Sequence, residues 1–129
     1  MPPPRPVVVV IEEQPELGKV LGEVLGTEGF EVVQVRSATD ALDALNQQTV
    51  AFLVSDLTMP GHAGADALAS VTAAFPELPV IVIRAQRDDD IPFFGPWRRD
   101  GSRLLLRRPF RLDDLVGAAR EVFGDRHPA

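Results

Sequence analysis

Asp56 stands where an apolar run stops. The segment Val50-Ala51-Phe52-Leu53-Val54-Ser55-Asp56-Leu57-Thr58-Met59-Pro60-Gly61 opens with enough apolar residues for one strand buried on both faces. Pro60-Gly61 then turns the chain out of the sheet. An acid so placed lies at the carboxyl end of a buried parallel strand, the edge of an open α/β sheet where ligands bind. A carboxylate there can act as a nucleophile and form an acyl phosphate. It can also help to hold a hard cation such as Mg²⁺, which takes oxygen donors. The plain structural alternative is a turn or N-cap acid ahead of Pro60.

Other charged residues converge on the same edge if the remaining strands run parallel to this one. The first strand ends in Glu12-Glu13, the fourth in Arg84, and Arg108 follows the fifth. Clustered carboxylates suit a divalent cation. Taken alone, Glu12 and Glu13 also fit a purely structural role, because acids around a first helical turn are favoured by the helix dipole.

The elements that must position these groups alternate along the chain. Residues 1–6 form a Pro-rich tail. Val7 to Ile11 is an unbroken β-branched run and reads as a central strand. Pro15 suits the first turn of a helix whose apolar face is Leu17, Val20, Leu21, Val24 and Leu25, ending at Gly29. Glu31 to Val35 is a short second strand. Ser37 with Asp40 resembles a capping box and opens a helix holding Ala41, Leu42 and Leu45. After the Asp56 strand come a helix from about Ala65 to Phe75 and a strand from Pro79 to Ile83. Leu104 to Leu106 marks a fifth strand, and Leu112, Leu115, Val116, Ala119 and Phe123 line a last amphipathic helix. Between strands four and five, two prolines and a glycine within residues 87–99 predict a distorted fourth helix. Alternating strands and helices give an α/β fold, a parallel sheet covered on both faces with right-handed crossovers. One domain over residues 7–124, between short tails at 1–6 and 125–129, accounts for the chain.

Composition narrows the function classes. The chain has 129 residues, 45% hydrophobic and 25% charged, which suits one globular domain with a real core. Its net charge of -6 and the lack of any long Lys/Arg block argue against direct nucleic-acid binding. The absence of cysteine excludes disulfides, thiol catalysis and thiolate-bound metals. No apolar run is long enough to span a bilayer and no signal-peptide pattern opens the chain, so a cytoplasmic protein is expected.

The acidic pair Glu12-Glu13 with Gln14-Pro15, the segment Asp56-Leu57-Thr58-Met59-Pro60-Gly61 and Arg108-Pro109-Phe110 together resemble the receiver domain of two-component response regulators. The resemblance covers roughly Val7 to Phe123. It implies a flavodoxin-like three-layer sandwich with a five-stranded sheet of order 2-1-3-4-5. It further implies that Asp56 accepts a phosphoryl group from a sensor histidine kinase or phosphotransfer protein. Mg²⁺ would then be held by Glu12, Glu13 and Asp56. No catalytic activity of its own is expected.

Four positions depart from the family pattern. Both acids of the pair are Glu, which sets the Glu13 carboxylate about 1.5 Å further out than Asp would, comparable with one helical step. Arg84 stands where the family has Thr or Ser, and Arg108 where it has Lys. Leu105 occupies the position of the aromatic switch residue. Three carboxylates against two guanidinium groups leave the edge at -1, where a conventional site has -2 for Mg²⁺ to balance. A bidentate pair of Arg84 with Asp56 or a glutamate would partly replace the metal; the alternative has Arg84 facing solvent beside Asp88 to Asp90.

The leading expectation is therefore an atypical receiver working through protein contacts, with weak phosphorylation and at most weak Mg²⁺ binding. With no output domain after the last helix, output is expected to pass through a partner or other domains. The face built from the fourth helix, fifth strand and fifth helix would contact a downstream protein, with Phe93, Phe94 and Trp97 as anchors; these rings could equally just cover the sheet. Monomer or weak homodimer fits. A conventional Mg²⁺-dependent receiver is the near alternative. A phosphohydrolase with an aspartate nucleophile would want a second acid at Thr58, and a flavodoxin-like nucleotide binder would be repelled by Glu12-Glu13.

Overall fold

The computed structural model describes residues 5–56, 63–85, 103–108 and 110–124. Five strands and four helices follow in the order β1 (Val7–Ile11), α1 (Pro15–Thr27), β2 (Glu31–Val35), α2 (Ala38–Gln47), β3 (Phe52–Asp56), α3 (Ala63–Ala74), β4 (Val80–Ala85), β5 (Arg103–Arg108) and α4 (Leu112–Gly124). The strands form one five-stranded sheet in the order β2-β1-β3-β4-β5, and every pairing is parallel. The α/β architecture and strand order expected from the sequence are thus present. The distorted helix expected over residues 87–99 lies outside the described residues.

Successive side chains of the central strands enter opposite layers, as the period of a strand requires. Val8, Val10, Phe52, Val54, Ile81 and Ile83 pack with α1 and α4. Val9, Ile11, Leu53, Val80 and Val82 pack with α2 and α3. Both layers close over β1 and β3, whose residues are buried throughout. These strands therefore read as unbroken apolar runs, and a charge can enter them only at an end. At the amino edge Phe30 stacks edge-to-face on Phe52 and Phe123, with centroids 5.1 and 5.3 Å away. The last two residues of the expected tail are docked: Arg5 donates to the carbonyls of Gly26 and Gly29, and Pro6 O accepts from Glu31 N at 2.8 Å. The Arg5 guanidinium thus supplies the positive charge that the last turn of α1 lacks. Arg120 adds a link from α4 to Glu28, with Nη2 and Nε at 2.8 and 3.2 Å from Oε1.

Several boundaries differ from the sequence reading. Helix α3 starts two residues earlier than expected. Strand β4 runs on to Ala85, so Arg84 lies inside the strand. Arg108 is the last residue of β5, level with Ala85, and not in the loop beyond it. Val20, expected on the buried face of α1, is 45% exposed. The buried stripe is Gly18, Leu21 and Leu25; at about 100° per residue its centre lies about 130° from Val20. Gly18 draws that stripe towards β2, where Gln34 Nε2 donates to Pro15 O at 2.8 Å over the space a side chain would fill. Leu112, at the exposed start of α4, is 51% exposed.

Gly29 has φ 97° and turns the chain from α1 into β2. Gly29→Ala is expected to lose about 1–2 kcal/mol, the cost of a Cβ in that region. Gly117→Ala, where an added Cβ meets nothing within 4 Å, is expected to gain about 0.5–1 kcal/mol. Urea unfolding midpoints that shift in opposite directions meet this expectation; shifts in the same direction contradict it.

Candidate functional site

The carboxyl edge of the sheet gathers charge because each central strand changes character at its last residue. Asp56 closes β3 level with Ile83 of β4, and Arg84 comes one residue later. Ile11 is level with Ser55, so Glu12, the next residue, arrives beside Asp56. The Glu12 main chain still follows the sheet, its N–H donating to Val35 O at 3.0 Å. Three adjacent strands thus bring Glu12, Asp56 and Arg84 to one edge.

Burial sets these three apart from ordinary surface charges. Glu12 is 1% exposed, Asp56 4% and Arg84 6%; they are the buried ionic side chains among the described residues. An ion withdrawn from water loses several kcal/mol of solvation, which only nearby opposite charge and hydrogen bonds offset. The alternative in which Arg84 faces solvent is not met. Glu12 has also taken up the helix-start role open to it, since its Oε1 accepts from Gln14 N at 3.0 Å. That bond satisfies an N–H just before α1, whose N-cap residue Gln14 makes no side-chain cap of its own. Glu13, by contrast, is half-buried.

The expected metal ligands do not assemble. Among the described residues, which include Glu12, Glu13 and Asp56, no group of three or more acidic or histidine side chains is placed to hold a metal ion. At the same edge Glu12 Oε1 accepts from Gln14 N at the start of α1, and Arg84 is buried at the end of β4. A ready-made three-carboxylate site for Mg²⁺ is thus not formed among the described residues.

The remaining site expectations divide. The Arg108 backbone reaches the edge on β5, while its side chain lies outside the described part. Leu105, level with Val82, packs half-buried against the α2–α3 layer. Phe93, Phe94 and Trp97 lie outside the described residues, as do Thr58, Met59, Pro60 and Gly61. A groove of about 510 Å³ lies between β5 and α4. Leu104, Leu106 and Phe110 line it together with Asp113, Asp114 and Glu121. No helix among the described residues is long and apolar enough to cross a membrane.

The chain belongs to the response regulator receiver domain family, whose model matches residues 8–120. It is similar to the C4-dicarboxylate transport transcriptional regulatory protein DctD of Rhizobium meliloti (strain 1021), 33% identical over 117 residues, covering 91% of this chain and 25% of that protein. The swarming motility regulation protein RssB of Serratia marcescens is 29% identical over 115 residues, covering 89% of this chain and 52% of that protein. The chain therefore spans a quarter to about half the length of these relatives. Among solved structures, the signal receiver domain of an HD domain-containing protein from Pseudomonas fluorescens Pf-5 superposes with a TM-score of 0.79 at 22% identity, over 96% of this chain and 98% of that one. That likeness supports the fold.

Ser55 is a residue the sequence reading passed over. It is fully buried beside Asp56, and its Oγ has no hydrogen-bond partner among the described residues. Its place in an apolar run was the available signal. Removing an unsatisfied hydroxyl restores no lost bond and relieves a desolvation penalty. Ser55→Ala is expected to leave the unfolding free energy unchanged or raise it by about 1 kcal/mol. A loss of about 2 kcal/mol in chemical denaturation would show that the hydroxyl is engaged.

Proposed function

We infer that this receiver domain of a two-component system is an atypical one, which retains Asp56 as a phosphoacceptor but is modified at it slowly or to low occupancy. The observation that carries the reading is the burial of Arg84 at the same edge as Asp56 and Glu12. In the conventional reaction a carboxylate oxygen attacks phosphorus, the bond to the donor histidine breaks, and an acyl phosphate forms. That step needs an accessible nucleophile and a cation on the phosphoryl oxygens. Here Asp56 is 4% exposed.

Signalling then runs mainly through protein contacts. The partners are a sensor histidine kinase or phosphotransfer protein on the donor side and a downstream protein on the β5–α4 side. Leu105 in place of an aromatic ring removes the usual rotamer readout at the switch position. The domain has no catalytic output of its own and works in the cytoplasm as a monomer or weak homodimer.

Intact-mass measurement after incubation with a small-molecule phosphodonor, with and without Mg²⁺, tests this reading. The expected result is a minor adduct or none, insensitive to Mg²⁺, with any adduct lost in Asp56→Asn. Full, Mg²⁺-dependent modification of Asp56 would instead establish a conventional receiver.

A further inference from the structure

We propose that Arg84 is the resident cation of the carboxyl edge: its guanidinium fills the electrostatic role that a divalent metal has in receiver domains, and its charge keeps Mg²⁺ out. The proposal rests on the receiver assignment only for where a metal would otherwise bind.

An arginine keeps its proton under all ordinary conditions, so burial cannot be relieved by neutralising it. It therefore requires anions within reach. Among the described residues the buried acids are Glu12 and Asp56, on β1 and β3, at the same end of the sheet as Arg84 on β4. The need is mutual, because two buried carboxylates on neighbouring strands repel each other without a cation between or beside them. A guanidinium suits this role better than an ammonium, since its planar set of donors can serve two carboxylates at once. These two acids are also two of the three, with Glu13, that a metal would be expected to use. A divalent ion entering the edge would meet a fixed positive charge, a Glu12 carboxylate already accepting from Gln14 N at 3.0 Å, and no convergent third ligand among the described residues.

Calorimetric titration with MgCl₂ and thermal melts, both at matched ionic strength, test the proposal on the 129-residue chain. The samples are the wild type, Arg84→Lys and Arg84→Met. Wild type and Arg84→Lys are expected to show no saturable Mg²⁺ binding and no rise in melting temperature. Arg84→Met removes the charge and keeps most of the apolar stem. It is expected to bind Mg²⁺ at least about tenfold more tightly than the wild type and to melt higher when Mg²⁺ is present. An Arg84→Met chain that folds only with Mg²⁺ supports the same conclusion. Wild type binding Mg²⁺ as tightly as Arg84→Met overturns the proposal. So does an Arg84→Met chain that Mg²⁺ neither binds nor rescues. The readout is metal binding, so the result stands apart from whether Asp56 accepts a phosphoryl group.

Discussion

The balance of buried charge at the carboxyl edge is the constraint on which the site depends. Two apolar layers close over both faces of the central strands, leaving only strand ends for ionic groups. At those ends Glu12, Asp56 and Arg84 are withdrawn from water together. Each charge would be costly alone, and each is made tolerable by the others. The sheet therefore does more than display an acid. It fixes the number and sign of the charges around that acid, and so decides which ions can approach it.

This accounting separates two designs that share one fold. With a neutral hydroxyl at the end of β4, the acids carry an excess negative charge that attracts a divalent metal, and the metal then draws phosphoryl oxygens to the aspartate. With arginine there, part of that charge is balanced from within the chain. The edge then keeps a smaller negative charge, the condition under which metal binding is expected to weaken. A receiver built this way retains its sheet and its helices, because neither depends on the residue that closes β4. The family match over residues 8–120 is compatible with either design, because the fold depends on the apolar layers and not on the residue that closes β4.

Much of this was legible in the sequence, for physical reasons that can be named. The β-branched run Val7 to Ile11 and the run ending at Asp56 have no stable place except inside a doubly covered sheet, and Val7–Ile11 and Phe52–Asp56 are buried throughout. Ser37 was readable as a cap, and its Oγ accepts from Asp40 N at 3.2 Å. Val20 was misplaced because apolar spacing alone does not reveal that Gly18 shifts the buried stripe of α1. The role of Glu12 was legible only as alternatives, since an acid before a helix can serve either the helix or an ion, and local spacing is the same for both. The burial of Arg84 left no local signature at all. Arg84 lies inside β4, which pairs with β5 as far as Ala85.

The most direct test of the central claim is a double-mutant cycle between Arg84→Met and Asp56→Asn, measured by urea unfolding in metal-free buffer. If Arg84 balances the buried acids, Arg84→Met alone loses about 3–5 kcal/mol by leaving them uncompensated. Adding Asp56→Asn then recovers part of that loss, with a coupling energy of about 1–3 kcal/mol. Losses that simply add, to within about 0.5 kcal/mol, would contradict the account, because the two side chains would then be energetically independent.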